Sequence, residues 1–166
     1  MGKLTHLFAE NFTLGTGNVL AAFQTAAAGS AASNIFIKRC VVTQNASTTL
    51  GMCRLEMGTR DTAGTLTVTS TTPRTVRPLG GAASGLTGNT APAGAVARSG
   101  TNSSADSGGA YTAAYNEEFA NTAGFLWKAD PTEEMLVPPS TLFYVRFVAA
   151  PTGTTGWCIL LVLDEN

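Results

Sequence analysis

The sequence predicts an all-β protein, a single jelly-roll-like antiparallel β-sandwich, on three observations. β-branched and aromatic residues gather in short runs along the chain. Clusters of Gly, Pro, Asn, Ser and Thr, which favour turns, separate these runs. Within several runs apolar and polar residues alternate, as they do in a strand with one buried face. A chain of 166 residues is long enough for one domain with a core of its own.

The first half of the chain contains four predicted strands. Residues 35–43 are rich in β-branched side chains and are followed by Asn45, Ala46 and Ser47, a turn sequence. In the next strand the apolar residues Cys53, Leu55 and Met57 alternate with polar neighbours, so one face should be buried. The predicted strands are 19–24, 35–43, 50–58 and 64–70.

A long loop rich in Gly, Ala and Thr is predicted from about residue 73 to residue 123, because periodicity disappears there. Near its end Tyr111, Tyr115 and Phe119 recur every four residues, which indicates one or two helical turns. Two roles remain open for these aromatic residues. They form either an apolar flap on the domain's own sheet or an anchor that faces a partner.

Four further strands are predicted in the last quarter of the chain. In the third of them, Phe143, Val145 and Phe147 share one face and should be core, while Tyr144 and Arg146 lie on the other. Prolines stand before and after this strand, where they do not interrupt a sheet. The predicted strands are 124–129, 133–137, 141–149 and 156–164.

The final strand is apolar on both faces, which an antiparallel strand with one wet face should not be. We therefore expect a second molecule to cover one of its faces, since exposure would leave an apolar patch. A competing expectation is that the loop at 73–123 covers it. The side chains expected to need this cover are Trp157, Ile159, Leu161 and Leu163.

No arrangement of residues in the sequence predicts an enzyme. His6 is the single histidine, and no motif for an activated serine or cysteine accompanies it. The neighbouring acids Glu117 and Glu118 should point to opposite faces of a strand, so they make no catalytic pair. No cofactor or metal site is expected. Loop carboxylates that gather in space around Ca²⁺ remain an open alternative.

The charge pattern argues against two classes of partner. The net charge is −1, and ten Lys and Arg are scattered without a basic stripe, so no nucleic acid is expected. No apolar run reaches the length of a membrane span, so no membrane is expected. The three cysteines, Cys40, Cys53 and Cys158, lie in apolar runs and are predicted to be reduced core residues.

Two segments resemble the jelly-roll head-decoration, or cement, proteins of tailed bacteriophage virions. The first is 36–47 (FIKRCVVTQNAS), a strand that ends at an Asn-containing hairpin and is followed by an alternating strand. The second combines 125–128 (FLWK) with 133–140 (EEMLVPPS), which is similar to a strand, an acidic turn and a Pro-led strand near the C-terminus. The resemblance implies a non-catalytic structural protein on the capsid surface, made in the host cytoplasm.

The resemblance also implies partners and an interface. Members of this group commonly form trimers and clamp neighbouring major capsid subunits. Residues 1–18 would then be an N-terminal arm, with Leu4, Leu7, Phe8 and Phe12 laid on a capsid or an adjacent subunit, and residues 19–166 the sandwich. An ordinary first strand within the domain is the equal alternative for residues 1–18.

A receptor-binding or carbohydrate-binding module of a phage fibre or spike is the alternative function. Trp127, Tyr144 and Tyr111 are aromatic residues on which sugar rings would stack if they were exposed together. No matching cluster of polar residues accompanies them in the sequence. This alternative therefore depends on where the fold places the three rings.

Overall fold

The protein is all-β in the computed structural model, which describes residues 3–14, 18–25, 34–45, 49–60, 65–66, 69–70, 74–77, 98–99, 106–107, 110–139 and 141–165. The strands in these ranges are β1 (Lys3–Phe12), β2 (Val19–Gln24), β3 (Ile35–Gln44), β4 (Met52–Arg60), β5 (Thr65–Leu66), β6 (Thr69–Ser70), β7 (Arg74–Arg77), β8 (Arg98–Ser99), β9 (Asp106–Ser107), β10 (Tyr111–Ala120), β11 (Phe125–Lys128), β12 (Met135–Val137), β13 (Leu142–Phe147) and β14 (Trp157–Glu165).

These strands form two packed antiparallel sheets. The first sheet has the order β11-β3-β14-β1-β7, and β12 also pairs with β3. The second has the order β10-β4-β13-β2-β8-β6, and β5 pairs with β9 apart from both sheets. The final strand β14 therefore lies between β3 and β1, near the middle of the first sheet.

The path of the chain is that of a jelly roll. Successive strands β1, β2, β3 and β4 alternate between the first and second sheets, and so do β10, β11, β13 and β14. This leaves two blocks of hydrogen-bonded strands, β11-β3-β14-β1 and β10-β4-β13-β2, facing each other. The predicted jelly-roll-like β-sandwich is confirmed.

The core fills the space between the two sheets. Leu161 and Cys40 are opposite each other on β14 and β3 and are fully buried, as is Leu55 on β4. Aromatic rings line one side, where Phe147 lies 4.6 Å from Trp157 between ring centroids. The alternation predicted for β4 and β13 is confirmed, since the buried core residues there are Cys53, Leu55, Met57, Phe143, Val145 and Phe147.

The predicted N-terminal arm at residues 1–18 is wrong for residues 3–12, which form strand β1. Residues 3–12 form β1, which pairs with β14 from Lys3 opposite Glu165 to Phe12 opposite Trp157. Thr5 is buried and its hydroxyl donates a 2.5 Å hydrogen bond to the Glu165 carboxylate. The alternative, an ordinary first strand of the domain, is therefore right for these residues.

Strand β10 shows that two predictions are wrong. Residues 111–119 do not form helical turns, and the long loop does not extend to residue 123. A four-residue interval fits two periods of a strand as well as one turn of a helix, and here Tyr111, Tyr115 and Phe119 lie on a strand. β10 bulges between Ala113 and Tyr115 against β4. Gly58 permits this, because a Cβ there would stand 2.1 Å from the Thr112 carbonyl oxygen.

The remaining predicted strands lie within two residues of their observed ends. The exception is 64–70, where the described residues form the short strands β5 and β6. Of the predicted loop at 73–123, residue 73 and the ranges 78–97, 100–105 and 108–109 lie outside the described residues.

Neighbouring leucines on β14 provide a test of this packing. Leu161 is fully buried in the core, whereas Leu160 is half-buried and faces outward. We expect Leu161→Ala to lower the free energy of unfolding by about 2–5 kcal/mol, because it leaves a cavity in the core. Leu160→Ala should cost less than half as much. Urea denaturation of both variants checks this, and equal losses would contradict the assigned faces.

Candidate interaction surface

Five of the eight predicted interface residues lie in the core of the single chain. Trp157, Leu161 and Leu163 are 0% exposed, Ile159 is 3% exposed and Leu7 is 1% exposed. The expectation that the four β14 side chains need a second molecule is therefore corrected. They face inward, and the chain's own second sheet covers them. The other three predicted interface residues, Leu4, Phe8 and Phe12, are half-buried.

The outward face of the first sheet carries an apolar row that crosses four strands. Leu126 on β11 is opposite Val41 on β3, Val41 is opposite Leu160 on β14, and Leu160 is opposite Phe8 on β1. Leu126 is 67% exposed, and the other three residues are half-buried. We call Leu126, Val41, Leu160 and Phe8 the outer row.

A second, less regular row runs parallel to the outer row. Leu136, which is 45% exposed, is opposite Phe36 on β3, and Phe36 is opposite Asp164 on β14. Asp164 is in turn opposite Leu4 on β1. The residues between the two rows are Lys128, Arg39, Val162 and His6. The outer row is therefore an apolar line on this face, and mostly polar residues lie beside it.

A shallow groove of about 330 Å³ lies at the β1 end of the outer row. Cys158 is half-buried beside it and accepts a 3.4 Å hydrogen bond from the Asn11 backbone N–H. The prediction that all three cysteines are core residues is thus right for Cys40 and Cys53 and wrong for Cys158, which faces outward. The groove is lined by Phe8, Glu10, Val41, Thr43, Cys158, Ile159 and Leu160.

Charged side chains also lie on the two inner strands of this face, beside the second row. The register of β3 against β14 shifts near Lys38, so that Lys38 and Arg39 are both half-buried rather than alternately buried and exposed. The Lys38 ammonium pairs with the Glu134 carboxylate and lies 3.6 Å from the Asp164 carboxylate. These half-buried pairs connect β3, β14 and the segment before β12.

On the outward face of the second sheet, polar and aromatic side chains bond to and stack on one another. Tyr144 lies on this face with Arg146, as predicted, and is 0% exposed; its hydroxyl donates a 3.2 Å hydrogen bond to Glu56. The Arg146 guanidinium donates to Glu56 at 2.6 Å and stacks 3.6 Å from the centre of the Tyr111 ring. Tyr144 and Tyr111 are thus engaged within the fold, and Trp127 packs half-buried against the core.

Strand β10 is an edge of the second sheet, where it pairs with β4. Its residues Glu117 and Glu118 are exposed and stand opposite Leu55 and Arg54, so they point to opposite faces as predicted. Glu117 accepts a hydrogen bond from the Tyr115 hydroxyl. Charges and a bulge on an edge strand both oppose pairing with another strand. This edge is therefore protected against strand addition.

Within the described ranges, no three His, Cys, Asp or Glu side chains are grouped so that they could hold a metal ion. His6 lies on β1 opposite Val162, on the outward face of the first sheet.

Asp130 accepts hydrogen bonds from the backbone N–H and the hydroxyl of Thr132, which lower its pKa. Among all the residues that the structure describes, no helix is long and apolar enough to cross a membrane.

Comparison with family models, with curated proteins and with solved structures finds no match to this chain. The resemblance to head-decoration proteins therefore stays a hypothesis about function.

Two tyrosine phenols predict how stability depends on pH. Burial, with the Glu117 hydrogen bond adding to it, raises the pKa of Tyr115 to about 12 from 10.0. Burial, with the Glu56 carboxylate adding to it, also raises the pKa of Tyr144. The folded protein therefore holds both phenolic protons more tightly than the unfolded chain does. The contribution of Tyr115 to stability is complete below pH 10 and is lost as the pH rises through about 12.

Tyr115→Phe tests this dependence, because it removes one of the two phenols and keeps the ring. Urea midpoints of the variant should fall less than those of the wild type between pH 9 and pH 11.5. The difference isolates Tyr115, since Tyr144 titrates in both proteins. Parallel pH profiles would show that Tyr115 ionises equally well in the folded and unfolded states.

Proposed function

We propose that this chain is a non-catalytic structural protein of a virus particle, which decorates the capsid and contacts capsid subunits and copies of itself. The observation that carries the proposal is the outer row, in which Leu126, Val41, Leu160 and Phe8 form an apolar line across four strands. A contiguous apolar patch on a soluble domain is typical of a protein contact.

The second sheet supports this assignment by contrast. Its outward cluster of Tyr144, Glu56, Arg146 and Tyr111 is held by internal hydrogen bonds and ring contacts. These polar groups stabilise the fold rather than converge on an open cleft. The candidate sugar platform is therefore the less favoured alternative, because Tyr144 is buried and Tyr111 stacks with Arg146.

The composition suits repeated contacts on a lattice. Only 13% of the residues are charged, so an approaching subunit has few strongly hydrated groups to displace. A protein that binds a lattice as a multimer also gains from multivalency, since contacts of modest affinity reinforce one another. A flat apolar face of moderate size is sufficient for such a role.

An antibody against the chain, applied to purified particles of the virus that encodes it, tests the location. Gold label should lie over the capsid surface, at a number of copies that scales with the capsid subunits. Label on a tail fibre, or selective binding in a glycan array, would contradict the proposal and favour the receptor-binding alternative. Particles without label would overturn both.

A charge placed in the outer row should weaken this binding. Leu160→Glu puts a carboxylate at the centre of the contact, where its desolvation is unfavourable, and we expect particle occupancy to fall at least ~10-fold. Ala114→Glu adds the same charge on exposed β10 and is the matched control. Equal occupancy of the two variants, measured by quantitative mass spectrometry, would exclude this face as the contact.

A further inference from the structure

We propose that the part of the first sheet's outward face formed by β11, β12 and β3 binds an extended acidic segment of another protein, which in the proposed assembly role is a capsid subunit. The inference rests on that proposed role and names the chemistry of the partner. We call this part of the face the edge half. Its outward residues are Leu126 and Lys128 on β11, Leu136 on β12, and Val41, Arg39 and Phe36 on β3.

The edge half alternates between apolar and basic levels along its strands. The three levels are the opposed pairs Leu126 with Val41, Lys128 with Arg39, and Leu136 with Phe36. Neighbouring outward side chains on one strand stand two residues apart, about 7 Å. The bulge at Lys38 keeps this spacing, because Arg39 and Phe36 are opposite Val162 and Asp164, which are two residues apart on β14. The face therefore presents apolar, basic and apolar groups at the spacing of alternate residues in an extended chain.

The basic level lacks a counter-charge. Among the residues that the structure describes, neither Lys128, which is exposed, nor Arg39, which is half-buried, has an ion-pair partner. The Nε of Arg39 is shielded from water and has no acceptor. Because water screens a half-buried charge less than an exposed one, Arg39 should attract a carboxylate strongly. Lys38 is already engaged, since it pairs with Glu134.

The surroundings of the basic level favour a protein segment over a polyanion. Leu126 is 67% exposed and Leu136 is 45% exposed, so apolar side chains of a partner can cover them. A nucleic acid would bring a phosphate at every step along the face. Glu134 and Asp164, whose carboxylates lie beside Lys38, would repel the additional phosphates. A single carboxylate between two apolar residues suits the edge half better.

The three levels define a sequence pattern for the partner. Alternate side chains of an extended segment point to the same face. A segment that lies along β11 and β12 therefore needs an apolar, an acidic and an apolar residue at positions i, i+2 and i+4. Its carboxylate would then reach the guanidinium of Arg39, with which it can form paired hydrogen bonds. An acid moved by one position would point away from this guanidinium.

Synthetic peptides test the pattern on the native protein. The probes are acetylated and amidated heptapeptides: TLTDTLT has the pattern, TLTNTLT replaces the acid with its amide, and TLDTTLT moves the acid by one position. In ¹⁵N NMR titrations TLTDTLT should bind at least ~5-fold more tightly than either control, because only its carboxylate faces the basic level. The amides that shift should be those of β3, β11 and β12.

Each control peptide can contradict one part of the inference. Equal affinity for TLTDTLT and TLTNTLT would overturn the recognition of charge. Equal affinity for TLTDTLT and TLDTTLT would overturn the extended pattern. Shifts confined to other strands, or no shifts with any peptide, would overturn the site. Inorganic phosphate at the peptide concentration should leave these amides unmoved, and equal shifts with phosphate would indicate a general anion site in place of a segment-binding one.

Substitutions in the protein give the reciprocal test. Arg39→Gln should remove most of the preference for TLTDTLT over TLTNTLT, because the carboxylate loses its guanidinium partner. Arg54→Gln is the matched control, since Arg54 is exposed on β4 in the second sheet, and it should keep the preference. Lys128→Gln changes an exposed side chain and should reduce the preference in part. An undiminished preference in both Arg39→Gln and Lys128→Gln would overturn the basic level as the binding group.

These results are separable from the capsid role. If the peptide preference holds but particles carry no label, the acidic-segment site is right and the decoration role is wrong. If particles are labelled, the peptides show no preference and Arg39→Gln matches Arg54→Gln in particle occupancy, the decoration role stands and the acidic segment is wrong.

Discussion

The structure depends on the antiparallel pairing of β14 between β1 and β3. This ladder connects the two ends of the chain, since Lys3 is opposite Glu165. Because side chains alternate along a strand, it also fixes which residues of an almost wholly apolar segment are core. Trp157, Ile159, Leu161 and Leu163 are directed into the sandwich, and Cys158 and Leu160 are directed outward. The core and the candidate contact surface are thus two faces of the same ladder.

The two sheets differ in how they present their outward faces, and this difference locates the contact. The second sheet uses Tyr144, Glu56 and Arg146 to bury its polar groups against one another. The first sheet places four apolar residues at one level across its width, and its ion pairs, such as Lys38 with Glu134, lie beside this row. Covering the apolar outward face of the first sheet with another protein would lower the free energy, because it removes apolar surface from water.

Local sequence patterns were sufficient to predict most strands, but they could not predict which residues form the outer row. Alternation around Leu55 and Val145 identified the buried faces of β4 and β13 correctly. In β14 both faces are apolar, so periodicity could not say which one is core. The four-residue spacing in β10 fits a helix and a strand equally. The outer row joins Phe8, Val41, Leu126 and Leu160, and only strand register, set by long-range pairing, brings them together.

The central claim is that the outward face of the first sheet contacts another copy of the chain. The mass of the native protein in solution, measured by light scattering behind size-exclusion chromatography at micromolar concentration, tests it most directly. The account predicts a species heavier than the single 17.1 kDa chain. A single species at 17.1 kDa across the micromolar range would contradict it.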